Sequence, residues 1–280
     1  MNDAAAICAT CPRHCRLADG ETGFCRARKA VDGRVVADNY GKITSIALDP
    51  IEKKPIAFFH QGSRILSVGS FGCNLRCPFC QNDAISQRGD GEVPFQNATP
   101  QELADLARRL RDEQGNIGLA YTYNEPLVGW EFVRDCANEI HARGMFNVLV
   151  SNGCAEPEIV SELAPLLDAA NIDLKGPSQK YYDWTGGSFA AVCRTIETLH
   201  KAGCHVEVTT LIVPGHNDAE SDIDAIASFI ASISPDIPLH VTRFFPRFRM
   251  TDAQPTPVAT VRRLADIARQ RLRRVLTGNC

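Results

Sequence analysis

Residues 65–82 read ILSVGSFGCNLRCPFCQN, an apolar run followed by a cysteine-rich loop. The run at 65–71 predicts a buried strand, and Gly72 begins the loop that leaves it. The loop carries three cysteines at C-x3-C-x2-C spacing, namely Cys73, Cys77 and Cys80. Thiolates at such short intervals can bind one compact metal centre. The stretch therefore predicts a strand that ends in a metal site.

The number of cysteines in this loop indicates the kind of metal centre. A cubane of four irons needs four ligands, so three thiolates leave one iron free to bind another molecule. Two plainer interpretations are a structural zinc loop and scattered core cysteines. Structural zinc sites usually consist of two C-x2-C pairs, so the spacing and the position after a strand favour a [4Fe–4S] cluster.

The composition is that of an ordinary globular protein. The 280 residues are 44% hydrophobic and 22% charged, which suits one large domain or one large and one small domain. A net charge of −3 gives no reason to expect nucleic acid or a membrane as a partner. No apolar run approaches the roughly 20 residues of a membrane span.

The cysteine content predicts a compartment. The stretch Met1–Cys8 lacks the basic and apolar regions of a signal peptide. Without such a signal, the twelve cysteines are expected to be reduced thiols in the cytoplasm, where they can bind metals.

A second group of cysteines precedes the first, at C-x2-C-x3-C-x9-C spacing: Cys8, Cys11, Cys15 and Cys25. Four thiolates match either a closed zinc site or an auxiliary cluster with no open iron, and the sequence does not separate the two. The other interpretation is four reduced surface cysteines. A metal here would contribute folding energy, because this segment has few apolar residues.

The chain is expected to divide near residue 60. Residues 1–60 would form a cysteine-rich N-terminal segment, and residues 61–280 the main α/β domain. Val35-Val36 and the run at 43–48 predict a short β ribbon. The prolines that bracket 49–55 predict an extended linker, and its two adjacent lysines indicate a solvated surface.

From Ser63 onward the pattern alternates between strands and helices, which is typical of a parallel sheet. Strands are predicted at six places: 65–71, 117–122, 146–151, 170–174, 205–213 and 239–245. One helix start is well marked, because Thr99 suits the N-cap, Pro100 the first turn, and Glu102 completes a capping box.

Polar residues follow the predicted strands, where parallel α/β proteins carry their chemistry. The first strand ends in the cysteine loop. The others end in short polar segments: Thr122–Pro126, Ser151–Gly153, Asp173–Lys175, Val213–Gly215 and Arg243. Because parallel strands end at the same edge of a sheet, we expect these segments to meet at one rim.

The cysteine loop resembles the signature of the radical SAM superfamily, and the whole chain is similar to its glycyl-radical-activating branch. A narrower resemblance is to the radical SAM member of the AmmeMemoRadiSam system. It rests on the first four cysteines and on four further segments: 49–55, 80–82, 121–126 and 243–246. The resemblance implies a partial (β/α)6 TIM-like barrel, open on one side, with a small cysteine-rich N-terminal extension.

The resemblance also implies a cofactor and a chemistry. In this superfamily the open iron binds S-adenosylmethionine (SAM), and one electron from the cluster yields methionine and a 5′-deoxyadenosyl radical. The cluster is assigned to Cys73, Cys77 and Cys80. SAM binding is assigned to eight residues: Asn82, Tyr123, Asn124, Glu125, Ser151, Asp173, Lys175 and Arg243.

The motif after the second strand departs from the family pattern. Activating enzymes carry Gly-Gly-Glu-Pro where this chain has Tyr123-Asn124-Glu125-Pro126, so both glycines are absent and the glutamate is kept. Glu125 is expected to meet the amino group of SAM. The alternative is that Glu125 only caps the next helix.

Two residues match the D-x-K motif of the activating branch, namely Asp173 and Lys175. The resemblance pairs Lys175 with the SAM carboxylate and Asp173 with its ammonium group. Their spacing puts both side chains on one face of a strand, so a simple ion pair is the alternative.

Two other positions also depart from the pattern. Ser151 stands where the branch has a threonine that contacts ribose, but Val150 replaces the preceding aspartate. Thr209 stands where an arginine is common, and Arg243 is assigned in its place.

The predicted function is that of a radical SAM oxidoreductase similar to pyruvate formate-lyase activating enzyme. A flavodoxin or ferredoxin would supply the electron, and the radical would abstract hydrogen from a partner, with a glycyl radical enzyme as one option. The alternatives are modification of a small molecule or peptide, and a non-catalytic metal-binding module.

Overall fold

The computed structural model describes residues 5–280. Residues 1–4, which include half of the stretch compared with a signal peptide, lie outside the described residues. Within residues 5–280 there are fourteen strands: β1 Ala6–Ile7, β2 Arg16–Leu17, β3 Arg28–Val31, β4 Arg34–Ala37, β5 Lys42–Ile43, β6 Ser45–Pro50, β7 Arg64–Gly69, β8 Gln96–Asn97, β9 Asn116–Tyr121, β10 Phe146–Ser151, β11 Ala169–Asp173, β12 His205–Ile212, β13 Leu239–Arg243 and β14 Val275–Gly278.

The same range contains eight α-helices: α1 Asp83–Ser86, α2 Pro100–Gln114, α3 Trp130–Ala142, α4 Pro157–Leu163, α5 Gln179–Thr185, α6 Phe189–Lys201, α7 Glu220–Ile233 and α8 Val258–Ala268. The predicted start of α2 is confirmed. Thr99 accepts from the backbone N–H of Glu102, and the Glu102 carboxylate accepts from the backbone N–H of Thr99.

One sheet organises the molecule, with strand order β14-β13-β12-β11-β10-β9-β7-β6. Strands β7 and β9 to β14 run parallel, and β6 lies antiparallel at one edge. The six predicted strands correspond to β7 and β9 to β13, so the partial barrel is confirmed. Two members were not expected, since β14 adds a parallel strand and β6 joins this sheet.

The segment between β6 and β7 fills the inside of the barrel. Ile51 and Ile56 are fully buried and pack with residues on the inner face of the strands, Ile65, Ala120 and Val148. The expected extended linker is thus a short 3-10 turn at Ile51–Lys53 followed by a chain that enters the barrel. This segment closes the end of the barrel where the strands begin.

One expectation for this segment was wrong. Lys54 was expected on a solvated surface, but only 2% of its side chain is exposed, and its Nζ donates to Asp49 at 2.9 Å. Its neighbour Lys53 is exposed and pairs with the same carboxylate at 3.1 Å. The difference arises because Lys54 lies where the chain turns into the barrel, which a local pattern does not reveal.

The N-terminal segment packs directly on the cysteine loop. The backbone N–H of Cys73 donates to the carbonyl of Cys25 at 3.0 Å. Gly72 has φ +88°, and a Cβ at this position would lie 2.6 Å from the same carbonyl, so glycine is required by both conformation and space. The division at residue 60 stays a prediction, and β6, on its N-terminal side, pairs with β7.

No helix within residues 5–280 is both long enough and apolar enough to span a membrane.

Candidate functional site

A cavity of about 1300 Å³ opens where the parallel strands end. The structure brings all eleven residues assigned to the cluster and SAM to its lining: Cys73, Cys77, Cys80, Asn82, Tyr123, Asn124, Glu125, Ser151, Asp173, Lys175 and Arg243. Their positions follow the rule that parallel α/β folds carry ligands at the carboxyl ends of strands. What each residue binds stays a prediction. Because all eleven line one cavity, they can be tested as parts of one site.

Of the three cysteines of the loop, Cys77 is buried and Cys73 and Cys80 are partly exposed, and all three line the cavity. Burial raises the pKa of Cys77 to about 11 and the pKa of Cys73 well above its usual value. The nearby Lys175 acts in the opposite direction on Cys77. Thiols with raised pKa values need a cation to become thiolates, and a bound metal centre supplies one.

A [4Fe–4S] cluster and a single metal ion place their ligands at different distances from one another. Across residues 5–280, no three His, Cys, Asp or Glu side chains converge on a position for one metal ion. A [4Fe–4S] cluster binds each thiolate at a different iron, so its ligands lie farther apart than those of one zinc ion. Three cavity-facing thiols on one short loop fit a cluster in number and position.

Asn124 supports the loop with its whole side chain. Its Oδ1 accepts from the backbone N–H of Ser70 at 2.9 Å, and its Nδ2 donates to the carbonyls of Phe71 and Gly72 at 3.0 and 3.2 Å. The side chain assigned to SAM is therefore engaged in holding the cysteine loop against the end of β9.

Tyr123 occupies the first glycine position of the family motif in a glycine-like conformation. Its φ of +71° lies in the left-handed region, which is strained for a bulky side chain. The Tyr123 hydroxyl donates to Asp49 at 2.8 Å, and Asn82 Nδ2 donates to the Tyr123 carbonyl at 2.7 Å. Lys54 lies 4.7 Å from the centre of the Tyr123 ring. These contacts hold the strained backbone in place.

Glu125 is a buried carboxylate with three donors. The hydroxyl of Ser151 donates to it at 2.6 Å, the backbone N–H of Asn152 at 2.8 Å and that of Leu127 at 3.0 Å. Burial raises its pKa to about 7, although these hydrogen bonds act in the opposite direction. The contact with Leu127 caps the 3-10 turn that precedes α3, so the capping alternative is observed in a residue that also lines the cavity.

Asp173 and Lys175 form an ion pair at the end of β11, with 2.8 Å between Nζ and Oδ2. Burial acts against the charge of Lys175, but Asp173 and Cys77 raise its pKa well above the usual value. The ion pair that was given as the alternative is therefore present. Both of its residues also line the cavity beside the cysteine loop.

Arg243 ends β13 with part of its guanidinium free. Its Nε donates to the carbonyl of Thr256 at 2.7 Å, and the group lies 4.7 Å from the centre of the Phe245 ring. Among residues 5–280 it has no carboxylate partner, so it can meet an anionic group in the cavity.

The four N-terminal cysteines lie outside the cavity lining. Cys8, Cys11 and Cys25 are buried and Cys15 is partly exposed, so the interpretation as four surface thiols is wrong for three of them. Burial, and then the neighbouring Cys11 and Cys8, raise the pKa of Cys25 to about 11. The metal of this group, zinc or an auxiliary cluster, stays a prediction.

Sequence reasoning missed part of the cavity wall. His240 lines the cavity, and its Nε2 lies 2.6 Å from the buried carboxylate of Glu207, which also contacts His205 at 2.9 Å. The signal in the sequence was the set of polar residues at alternate positions 205, 207 and 209 of β12, because a fully buried parallel strand is normally apolar throughout.

The fold and the site together define a class: an open α/β barrel with a three-cysteine loop beside a large ligand cavity. Residues 67–230 match the sequence profile of the Radical SAM superfamily. That match covers more than half of the chain, and the chain belongs to the Radical SAM superfamily.

Individual relatives match the chain over different ranges. An uncharacterized protein of Methanocaldococcus jannaschii is 39% identical over 100% of this chain and 83% of its own length. The benzylsuccinate synthase activating enzyme of Thauera aromatica is 32% identical over 40% of this chain and 35% of that enzyme. The second match therefore spans about a third of the relative.

Among solved structures, a domain of pyruvate-formate lyase-activating enzyme from Bacteroides vulgatus superposes with a TM-score of 0.51 at 19% identity. It covers 58% of this chain and 99% of that domain, and at this identity the likeness concerns the fold. The narrower resemblance to the AmmeMemoRadiSam member stays a prediction.

Proposed function

We propose that this protein cleaves SAM reductively and uses the resulting radical to abstract hydrogen from a second molecule. The observation that carries the proposal is the convergence of three thiols, a buried glutamate and an Asp–Lys pair on one cavity. When bound, the [4Fe–4S] cluster supplies one electron that breaks the sulfonium bond of SAM, which yields methionine and a 5′-deoxyadenosyl radical.

The protein's contribution is positioning. Cys73, Cys77 and Cys80 hold the cluster, and the Asn124 side chain keeps their loop in place. Glu125 and Asp173 offer carboxylates to the ammonium group of the SAM methionine moiety, and Lys175 offers its Nζ to the carboxylate.

The remaining assigned residues surround this centre. Asn82 and Tyr123 shape the wall beside the loop, Ser151 fixes Glu125, and Arg243 offers a second cation to the SAM carboxylate. The buried setting limits water near the reacting groups, which protects a reactive carbon radical from side reactions.

The second molecule is proposed to be a protein glycine, with a flavodoxin or ferredoxin as the electron donor. The protein target is supported by the names of two relatives, the benzylsuccinate synthase activating enzyme and the 4-hydroxyphenylacetate decarboxylase activating enzyme. The electron donor rests on the family resemblance alone. An enzyme that modifies a small molecule or peptide would use the same cofactor chemistry, and a non-catalytic module would bind SAM without cleaving it.

The decisive experiment measures 5′-deoxyadenosine after dithionite reduction of anaerobic protein that holds four irons at the loop. We expect one 5′-deoxyadenosine for each methionine released. Tight SAM binding without cleavage would contradict the proposal and favour the non-catalytic module. A doublet in the electron paramagnetic resonance spectrum of a co-incubated glycyl radical enzyme would separate a protein target from a small-molecule target.

A further inference from the structure

Three arginines lie close together where the N-terminal segment packs on the cysteine loop. The guanidinium carbons of Arg13 and Arg76 lie 3.6 and 3.9 Å from the centre of the Phe24 ring. Arg26 follows Phe24 by two residues, and its charge acts on the guanidinium of Arg76. These four residues are named here the arginine surface: Arg13, Phe24, Arg26 and Arg76. None of them belongs to the lining of the cavity.

Hydrogen bonds to backbone carbonyls hold two of these arginines in place. Nη1 of Arg76 donates to the carbonyl of Cys73 at 2.8 Å, and its Nη2 donates to the carbonyl of Phe24. Nη2 of Arg13 donates to the carbonyl of Gly186 at 2.7 Å. Both side chains are therefore fixed rather than extended into solvent, so a partner that binds to them loses less freedom on binding.

The charge of the arginine surface is not neutralised within residues 5–280. In that range no carboxylate oxygen lies within 4.0 Å of any of its guanidinium groups. Glu156, an acid close to this segment, pairs with His14 instead, at 3.3 Å. Burial, followed by the charge of Arg26, lowers the pKa of Arg76, so the arginines repel one another. The net charge of the chain is −3, so this positive surface is a local feature.

The guanidinium groups retain hydrogen-bond donors for a ligand. A guanidinium has five N–H groups, and Arg13 uses one of them in the contact with Gly186. The guanidinium of Arg26 forms no hydrogen bond to residues 5–280. Arg13 is exposed and Arg26 is partly exposed, so both can reach a molecule on the surface. Because a carboxylate accepts two parallel N–H groups of one guanidinium, the arginine surface fits an acidic partner.

The arginine surface lies beside both groups of cysteines. Arg76 contacts Cys73 and directly precedes Cys77, and Arg26 directly follows Cys25. A protein docked here would lie against the loop without entering the cavity proposed for SAM. An electron carrier has to dock close to the loop, because electron transfer between proteins weakens steeply with distance. Transient electron-transfer complexes use small interfaces, and charge complementarity directs their encounter.

We propose that the arginine surface docks the acidic protein that delivers the electron to the cluster. Carboxylates of that protein pair with Arg13 and Arg26, while Arg76 keeps the surface attached to the loop. The inference rests on the proposed function for the partner's role as electron donor, whereas docking itself needs no SAM cleavage. It gives the donor an approach from outside the cavity.

The test is calorimetric titration of anaerobic, cluster-loaded protein with flavodoxin and, separately, with ferredoxin, at low ionic strength. We expect wild-type protein to bind at least one carrier, and added salt to weaken that binding because the charges are exposed. The double variant Arg13→Gln/Arg26→Gln is expected to bind about tenfold more weakly, as for the loss of two exposed ion pairs. Arg13→Lys/Arg26→Lys keeps both charges and should bind within about threefold of wild type.

The matched control is Arg109→Gln/Arg262→Gln. It removes the same charge from two exposed arginines in α2 and α8, away from the cysteine loop, and should bind the carrier within about twofold of wild type. Equal loss in the two double variants would overturn the proposal, as would wild-type protein that binds neither carrier. Iron content shows that each variant keeps its cluster. Arg13→Glu keeps the test valid if Arg13→Gln/Arg26→Gln fails to fold, because Arg13 is exposed.

A kinetic measurement adds a second criterion. Loss of cluster absorbance in a stopped-flow instrument gives the rate of reduction by the carrier and by dithionite, which needs no docking. The ratio of the two rates at subsaturating carrier should fall about tenfold in Arg13→Gln/Arg26→Gln. A ratio equal to that of wild type would overturn the proposal. Tighter binding of a single-stranded oligonucleotide than of either carrier would assign the surface to nucleic acid and would also overturn it.

The possible failures of the two proposals can be told apart. Protein that cleaves SAM with dithionite but binds a carrier equally well without the two arginines contradicts the docking surface alone. Protein that binds a carrier through these arginines and does not cleave SAM after reduction contradicts the proposed function and supports the docking surface.

Discussion

The two groups of cysteines differ in number, in position and in what surrounds them. Cys73, Cys77 and Cys80 line the cavity together with charged side chains. The N-terminal four lie outside that lining, and three of them are buried. Both groups contain thiols whose pKa values burial raises, yet only the loop of three faces space for another ligand.

In this molecule the group with a missing ligand is the one that faces the cavity. Four thiolates complete the coordination of a metal centre, and such a site suits structure or electron storage. Three thiolates at the mouth of a barrel leave one coordination position for a molecule in the cavity. The two groups nevertheless touch, because the carbonyl of Cys25 accepts from the N–H of Cys73.

The largest expected effect separates the two groups by activity. Cys77→Ala should reduce 5′-deoxyadenosine formation to the level of cluster-free protein, because the loop then retains two of its three ligands. The measurement is chromatography of the reduced reaction together with iron analysis. Cys193→Ala, in α6 outside both groups, should keep wild-type activity and iron content. Unchanged activity in Cys77→Ala would remove the distinction on which the comparison rests.

The next effect concerns stability. Cys25→Ala should lose the metal of the N-terminal group and lower the free energy of unfolding by about 4 kcal/mol, as loss of a structural metal does. Metal analysis and denaturant unfolding measure both. Cys204→Ala, a buried thiol of no group, should cost about 1 kcal/mol and leave the metal content unchanged. If Cys25→Ala behaves like Cys204→Ala, the N-terminal group holds no metal.

The affinity for SAM should depend on pH through Glu125 in the cavity and not through the N-terminal cysteines. Burial raises the pKa of Glu125 to about 7, and the ammonium group of SAM favours its ionised form. Below pH 7, SAM binding must therefore displace a proton, so affinity should rise about tenfold per pH unit up to pH 7 and then level off. Equilibrium binding from pH 5.5 to 8.5 measures it.

Two variants sharpen this result. Glu125→Gln should bind SAM more weakly at pH 8 and show no slope below pH 7. Cys25→Ala protein that remains folded should keep the wild-type slope, because its side chain lies outside the cavity. A wild-type affinity that does not change with pH would contradict the assignment of Glu125 to the SAM ammonium group.

A smaller effect tests the contact between the cysteine loop and the segment that follows β10. Asn74 follows Cys73, is 3% exposed, donates to the carbonyl of Cys154 at 2.6 Å and accepts from Asn152 at 2.9 Å. Asn74→Ala should lower the free energy of unfolding by about 2 kcal/mol, because both partners lose a buried hydrogen bond. Denaturant unfolding checks the value, and a cost near zero would show that these two hydrogen bonds do not stabilise the loop.

The smallest effect concerns the polar network beside the loop. Tyr123→Phe should cost about 1 kcal/mol through loss of its hydrogen bond to Asp49. Tyr181→Phe is the matched control, because the buried Tyr181 hydroxyl has no partner among residues 5–280, and its removal should be neutral or stabilising. Equal costs would mean that the Tyr123–Asp49 contact contributes nothing.

Local patterns in the sequence predict most of the fold. Apolar runs and the capping box at Thr99 placed the strands and the start of α2, because both signals lie within a few residues. The positions of β6 and β14 in the main sheet were missed, since strand pairing is settled by contacts distant in sequence. The burial of Lys54 was missed for the same reason.

The site residues also fall into those that local spacing predicts and those that only contacts distant in sequence determine. Motif residues such as Cys73 and Asp173 were identified because the chemistry constrains their spacing. The strained backbone of Tyr123 could not be predicted, because tyrosine normally avoids φ near +71° and only the surrounding contacts impose it. His240 and Glu207 face each other across two strands, and no spacing along the chain expresses that contact.

The segment that fills the barrel between β6 and β7 limits how ligands can enter and leave the cavity. With Ile51 and Ile56 packed against the inner strand faces, nothing passes through the base of the barrel. Ligands of the cavity therefore enter and leave at the end where the parallel strands finish or through the open side of the barrel.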